Sequence, residues 1–174
     1  MASVIKFGTF PVTKQVFYKT PFTFAFVNLM PIVPGHVLVS PLRVVDRVSD
    51  LTEEEASDFF LTVKKVAAVI EKEYPSQSLN IAIQDGPLAG QTIPHVHCHV
   101  IPRVANDLES VDAIYRKMDA KEYDQEEGFA AAKKLYDRNA FAGGIDAGTP
   151  PRTAEDMEAE AQKLAKNFDI KSRA

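Results

Sequence analysis

Three of the chain's four histidines stand at alternate positions, in Pro94-His95-Val96-His97-Cys98-His99-Val100. Alternate residues of a β-strand share a face. The spacing therefore predicts a strand over 95–101 with His95, His97 and His99 on one side and Val96, Cys98 and Val100 on the other. The second set is ordinary core chemistry, and Cys98 there reads as an inert buried thiol. The first set is the constraint. Imidazoles gain little from burial unless their polar atoms find partners. Any fold that accepts this segment must bring hydrogen-bonding groups to one face of it.

The surrounding pattern says which fold that is. Short β-branched and aromatic runs at 16–18, 23–28, 36–40 and 79–84 read as further strands. Prolines at 11, 21, 31, 34 and 41 punctuate them, and Pro34-Gly35 is a turn signal immediately before His36. A helix starts at Thr52, where Thr52 and Glu55 form a T-x-x-E capping box. Ala56, Phe59, Phe60, Val63, Ala67 and Ile70 follow at helical spacing, and Pro75 ends the helix. A glycine-bearing loop over 85–91 leads to the histidine segment. Strands joined by short turns favour antiparallel pairing. The expected architecture is α+β, a mainly antiparallel sheet with one long helix and a C-terminal helix. That last helix is expected from Thr153, with Asp156 completing its cap.

At 174 residues the chain suits one domain. We expect it to span 1–116, with a charged, alanine-rich insertion over 117–151 that carries a short helix near 129–136, and a C-terminal helix over 152–174 returning to the same domain. The net charge of -4 and the sequence pI of 5.6 argue against a nonspecific nucleic-acid partner. A single cysteine, Cys98, rules out an intramolecular disulfide and fits a reducing compartment. No apolar run approaches the roughly 20 residues of a membrane span, and residues 1–7 lack the pattern of a secretory signal. These features predict no membrane association and a cytoplasmic, and also nuclear, location.

Three readings of the histidines compete. Isolated histidines are commonly surface groups or satisfied core groups, but three at period two beside a glycine-rich loop are not isolated. A metal site is the second reading. Same-face neighbours on a strand sit about 6.6 Å apart and Zn–N bonds are about 2.0 Å. One ion therefore cannot easily take all three from a straight strand, although two of them with His36 remain an option. The third is covalent catalysis. Neutral imidazole is a nucleophile near pH 7, and its attack on a phosphoryl centre forms an N–P bond that water then breaks.

Several motifs together resemble a known family. They are Phe26-Val27-Asn28, Pro34-Gly35-His36-Val37-Leu38-Val39, Gln84-Asp85-Gly86-Pro87, Ala89-Gly90-Gln91-Thr92 and the run from His95 through Pro102-Arg103. These resemble the histidine triad superfamily and, within it, the fragile histidine triad (Fhit) branch of diadenosine polyphosphate hydrolases. The likeness runs from about residue 7 to 115 and resumes at 152–168. The triad marks the superfamily, and the 84–92 loop with the Pro-Arg after the triad marks the branch. The His-Pro-His-Pro-Gln pattern of the uridylyltransferases is absent.

The resemblance implies a homodimer that cleaves diadenosine triphosphate to AMP and ADP. It implies His97 as the nucleophile that carries AMP, His99 at the reacting phosphate and leaving oxygen, and His36 and His95 as the network that orients the nucleophile. Asn28 is implied at the ribose hydroxyls, Gln84 at phosphate, and Gly90, Gln91, Thr92 and Ile93 around the phosphate oxygens. Phe7, Phe26 and Leu38 fall where the family packs adenine. Tyr115 matches a tyrosine that is phosphorylated in animal members. Near Phe10 the family's polar residue is missing. Neutral donors such as Gln91 and Thr92 suit phosphate oxygens, and glycines at 86 and 90 allow close backbone approach. No carboxylate cluster cages a metal, so Mg²⁺ or Mn²⁺ is expected on the substrate phosphates, with no protein-bound metal. Two other functions share this pocket: a signalling module whose substrate-loaded dimer is the output, and a phosphoramidase of the Hint branch.

Overall fold

The computed structural model describes residues 3–120 and 151–169. The short helix expected near 129–136 and most of the expected insertion lie outside these residues. A hairpin of β1 (Lys6–Phe7) and β2 (Phe10–Pro11) comes first, and sequence reading missed it. Its two strands have only two residues each, too few for an alternation to register. Then come β3 (Val16–Lys19), β4 (Thr23–Val27), β5 (Val37–Pro41), the long helix α1 (Glu53–Glu73), β6 (Ser78–Ile83) and β7 (Cys98–Arg103). Helix α2 (Ala113–Asp119) crosses the boundary expected at 116–117, and α3 (Ala154–Asp169) closes the described chain.

Strands β3 to β7 form one five-stranded sheet in the order β3-β4-β5-β7-β6, antiparallel throughout. This is the expected α+β architecture. The register sets one row of side chains across four strands: Phe26 pairs with Leu38, Leu38 with His99, and His99 with Ala82. Helix α1 packs across β4, β5 and β7, and α3 packs on β3 and β4. The cap at Thr52 forms as expected, with Glu55 N–H donating to Thr52 Oγ1 at 3.2 Å and Thr52 N–H to the Glu55 carboxylate at 2.9 Å. At α3, Asp156 N–H donates to Thr153 Oγ1 at 3.1 Å.

Two expectations need correction. Phe60 is not on the buried face of α1; it is 50% exposed, while Val66 is fully buried with Phe59, Val63, Ala67 and Ile70. The apolar stripe follows positions 59, 63, 66 and 70, and Phe60 lies one residue off it. The histidine strand also begins later than 95. Its first residue is Cys98, so His95 and His97 lie in the segment leading into it. The backbone there is committed elsewhere: His95 N–H donates to Ile93 O at 2.7 Å and Val96 N–H to Val45 O at 2.8 Å. The Ser40 hydroxyl takes up Val96 O at 2.7 Å. The alternation of the ladder residues 98–100 is thus preceded by three residues outside any ladder, and Val96, Cys98 and Val100 are all core residues.

The turn before β5 depends on one glycine. Gly35 has φ +85°, and a Cβ there would stand 2.6 Å from the Tyr74 ring. Both the left-handed backbone and the clash oppose a side chain. Gly35→Ala is expected to cost about 2–4 kcal/mol, read as a lowered urea midpoint at unchanged m-value.

Candidate active site

His36, immediately before β5, and His99 on β7 come together, with His36 Nε2 2.9 Å from His99 Nδ1. A neutral imidazole has one N–H and one lone pair, so its partners assign its tautomer. Ile32 N–H donates to His36 Nδ1 at 3.1 Å, which places the His36 proton on Nε2. That proton goes to His99 Nδ1, which leaves the His99 proton on Nε2. This nitrogen is buried and meets no hydrogen-bond partner among the described residues. A backbone amide thus sets, through two rings, a hydrogen-bond donor aimed into the site.

A second chain sets His97. Its Nδ1–H donates to the backbone carbonyl of His95 at 2.7 Å, so Nε2 carries the lone pair. The His95 ring is fixed in turn, accepting from Gly8 N–H at 3.0 Å and donating from Nε2 to Pro41 O at 2.8 Å. Gly8 has φ +58°, and a Cβ there would meet Ile93 at 2.8 Å. The His97 and His99 rings lie edge to face with centroids 5.1 Å apart, and the Phe7 ring meets His97 in the same manner at 5.0 Å. The site therefore holds a lone pair on His97 beside a donor on His99.

Burial keeps all four rings neutral. It lowers His36 to about 3, helped by the nearby His97, and His95 to about 4 against the opposing pull of the Pro41 carbonyl. His97 is lowered by burial and partly restored by the His95 carbonyl, and His99 is lowered well below its ordinary value by burial and by its two histidine neighbours. Cys98, between the two rings in sequence, is pushed by burial up to about 12 and is inert at neutral pH.

The glycine-bearing loop is pinned beside the site. Asp85 accepts from Val48 N–H at 2.9 Å and pairs with Arg47 at 3.2 Å. The Gln91 amide spans the loop, accepting from Gly86 N–H at 2.9 Å and donating to Asp46 O at 2.8 Å. Gln84 donates to the Asp119 carboxylate at 3.0 Å. A cavity of about 440 Å³ lies between this loop and the end of α2, lined by Gly90, Gln91 and Thr92 on one side and Met118, Asp119 and Ala120 on the other.

The remaining residues named from sequence fall into two groups. Asn28 is fully buried after β4; its Oδ1 accepts from Met30 N–H at 2.9 Å and its Nδ2 lies 3.2 Å from His36 Nε2. Phe7, Phe26 and Leu38 are fully buried, and Ile93 nearly so, around the histidines. Tyr115 is exposed on α2. The structure separates the supporting roles: His36 bonds His99, and His97 is held by the carbonyl of His95 and not by its ring. Gly8, Ile32 and Ser40 act through main-chain or hydroxyl contacts that no residue-type pattern signals. As for metals, among the described residues no group of three or more His, Cys, Asp or Glu is arranged to hold an ion. Nor is any helix among them long and apolar enough to cross a membrane.

This is the arrangement of a histidine triad. The HIT domain family model matches residues 10–106, and the chain belongs to that family. The chain is 44% identical over 180 residues to an asymmetrical bis(5'-nucleosyl)-tetraphosphatase of Schizosaccharomyces pombe, covering 97% of this chain and 96% of that protein. It is 46% identical over 134 residues to a bifunctional bis(5'-adenosyl)-triphosphatase/adenylylsulfatase, FHIT, of Arabidopsis thaliana, covering 76% and 74% of the two chains. Among solved structures, a diadenosine triphosphate hydrolase of Plasmodium falciparum in complex with cyclomarin A superposes with a TM-score of 0.70 at 26% identity. That likeness covers 98% of this chain and 88% of the other.

The neutral cluster has a thermodynamic signature. All four folded-state values lie below the ordinary histidine value of 6.5. Below that pH the unfolded chain therefore binds more protons than the native one, and stability falls as pH falls. Each histidine contributes a slope of up to about 1.4 kcal/mol per pH unit. Glu55, held at about 2 chiefly by its bonds to Arg43, loses its own contribution only below its ordinary 4.5. Urea unfolding between pH 6.5 and 4.5 should therefore show a steady loss of stability, with only about half a kcal/mol lost between pH 8 and 7. A flat profile across the lower window would mean that the native rings take up protons.

Proposed function

We propose that the chain hydrolyses dinucleoside polyphosphates, diadenosine triphosphate among them, through a covalent nucleotidyl-histidine on His97. The observation that carries this is the bond from His97 Nδ1–H to the His95 carbonyl, which leaves Nε2 as a neutral, lone-pair nitrogen next to the donor of His99. His97 Nε2 attacks the α-phosphorus. An N–P bond forms, the bond from phosphorus to the bridging oxygen breaks, and the departing nucleotide takes the electron pair. The cation that develops on the His97 ring is stabilised through Nδ1–H by the carbonyl. His99 Nε2–H stabilises negative charge on the phosphoryl and leaving oxygens. Water then adds its oxygen to phosphorus and gives up a proton to solvent, the N–P bond breaks with its electron pair returning to His97 Nε2, and AMP leaves.

Asn28 is assigned to the ribose and the 84–92 loop to the phosphates. The pinned backbone of that loop beside the cavity supports the second assignment. Attack at the α-phosphorus leaves the length of the departing chain free: a triphosphate releases ADP and a tetraphosphate releases ATP. One mechanism therefore accommodates both the tetraphosphatase activity named for the fission-yeast relative and the triphosphatase activity named for the plant relative. Mg²⁺ or Mn²⁺ carried by the phosphates offsets their charge. A homodimer belongs to the same reading. Its support is β6, which among the described residues ends the sheet, paired with β7 alone and carrying a half-exposed Ile81. An open strand edge invites pairing with a second copy, and sedimentation at micromolar concentration reads whether it occurs. A cytosolic and nuclear location completes the reading.

The product assay compares diadenosine triphosphate, diadenosine tetraphosphate and an adenosine phosphoramidate. Preferential cleavage of the phosphoramidate would instead place the chain with the Hint type. His97→Asn is expected to lower kcat by about 10⁴-fold or more, with substrate affinity within about tenfold of wild type. In ¹⁸O-labelled water the label should enter AMP, and an α-chiral thiophosphate should react with net retention, because two inversions occur at phosphorus. Inversion would mean direct attack by water.

A further inference from the structure

The segment over 28–36 carries both Asn28 and His36, yet no regular ladder holds it between β4 and β5. Two elements brace it from outside. At the start of the C-terminal segment, Arg152 N–H donates to Leu29 O at 3.2 Å, and Arg152 Nη1 lies 3.4 Å from Asn28 O. At the end of α1, the Tyr74 ring lies under Gly35 so closely that a Cβ there would overlap it. One carboxylate joins the braces: Glu160 on α3 accepts from Arg152 Nη1 through Oε2 and from the Tyr74 hydroxyl through Oε1. The Arg152–Glu160 pair is largely shielded, with side chains 24% and 13% exposed. Surface ion pairs contribute little, but a shielded pair that also carries a hydroxyl fixes geometry.

We propose that Arg152, Glu160 and Tyr74 form a clamp that positions the substrate-binding turn, so that Arg152 is a positioning residue for nucleoside recognition. The clamp acts through Asn28. Arg152 holds the main-chain carbonyls of residues 28 and 29, while the Asn28 side chain is tied to Met30 N–H and rests against His36. Loss of the guanidinium removes the Nη1 contact to Asn28 O and the link to Glu160, and leaves the main-chain bond at Leu29 alone to hold the backbone that aims this amide. The consequence falls on discrimination at the ribose more than on general affinity for phosphate. This inference rests on the assignment of Asn28 to the ribose hydroxyls.

The test measures inhibition of hydrolysis by AMP and by its 2',3'-dideoxy analogue, in wild type, Arg152→Leu, Arg152→Lys and Tyr74→Phe. Wild type should bind AMP about tenfold tighter than the dideoxy analogue, the worth of one or two hydrogen bonds. Arg152→Leu should bring that ratio to within about twofold of unity. Its inhibition by inorganic pyrophosphate, which has no ribose, should stay unchanged. Arg152→Lys keeps a cation against Glu160 and should recover part of the ratio. Tyr74→Phe removes one hydroxyl and keeps the ring under Gly35; it reports on the clamp if Arg152→Leu does not fold, and should reduce the ratio in the same direction. A wild type that does not discriminate overturns the ribose assignment and the clamp with it. A discriminating wild type whose folded Arg152→Leu or Tyr74→Phe variant keeps the full ratio overturns the clamp alone.

Discussion

A buried imidazole offers one proton and one lone pair, and the placement of that proton governs this structure. Four neutral histidines sit among apolar side chains, and each ring is told by a main-chain group, directly or through one neighbour, which nitrogen is protonated. Ile32 N–H sets His36, and through it His99. The His95 carbonyl sets His97, while Gly8 N–H and the Pro41 carbonyl set His95. Main-chain groups cannot ionise and scarcely move within a packed fold. They fix a reactive tautomer more firmly than a carboxylate, which would also bring a charge into a region of low dielectric.

This dependence explains the architecture around the site. The β1–β2 hairpin delivers one amide, the turn before β5 delivers another, and the last residue of β5 delivers a carbonyl. Each contribution has a conformational condition attached. Gly8 must be glycine because its φ is positive and Ile93 leaves no room for a Cβ; Gly35 must be glycine because Tyr74 does the same. The apolar side chains that seal the site, Phe7, Phe26 and Leu38, maintain the burial that keeps the rings neutral. Fold and reactivity are therefore coupled through hydration: admitting water to the cluster would raise the histidine values toward the ordinary 6.5, so that protonation would take the His97 lone pair at a higher pH.

The sequence carried the outline well. The T-x-x-E cap, the antiparallel order and the C-terminal helix all rest on local chemistry that is written in residue types. The alternation at 95–100 disclosed two faces even though regular strand begins only at Cys98. What it could not disclose was which histidine bonds which. His36 and His99 are 63 residues apart, and their contact depends on the register of β5 against β7. The partners that assign tautomers are amides and carbonyls, which every residue possesses, so no pattern of side chains reveals them. The same holds for Phe60, where periodicity places a large apolar residue at the margin of a stripe and only packing decides which side it takes.

The bond from Gly8 N–H to His95 Nδ1 makes one backbone amide a spectator of the active site's protonation. A proton added to that ring nitrogen removes the acceptor and expels the amide. The Gly8 resonance therefore carries information on a side chain 87 residues away, without a label in the catalytic segment. Glycine amides fall in an uncrowded region of a nitrogen–proton correlation spectrum, and with eight glycines in the chain the signal is readily isolated. The hairpin that closes the site thus doubles as its native electrode.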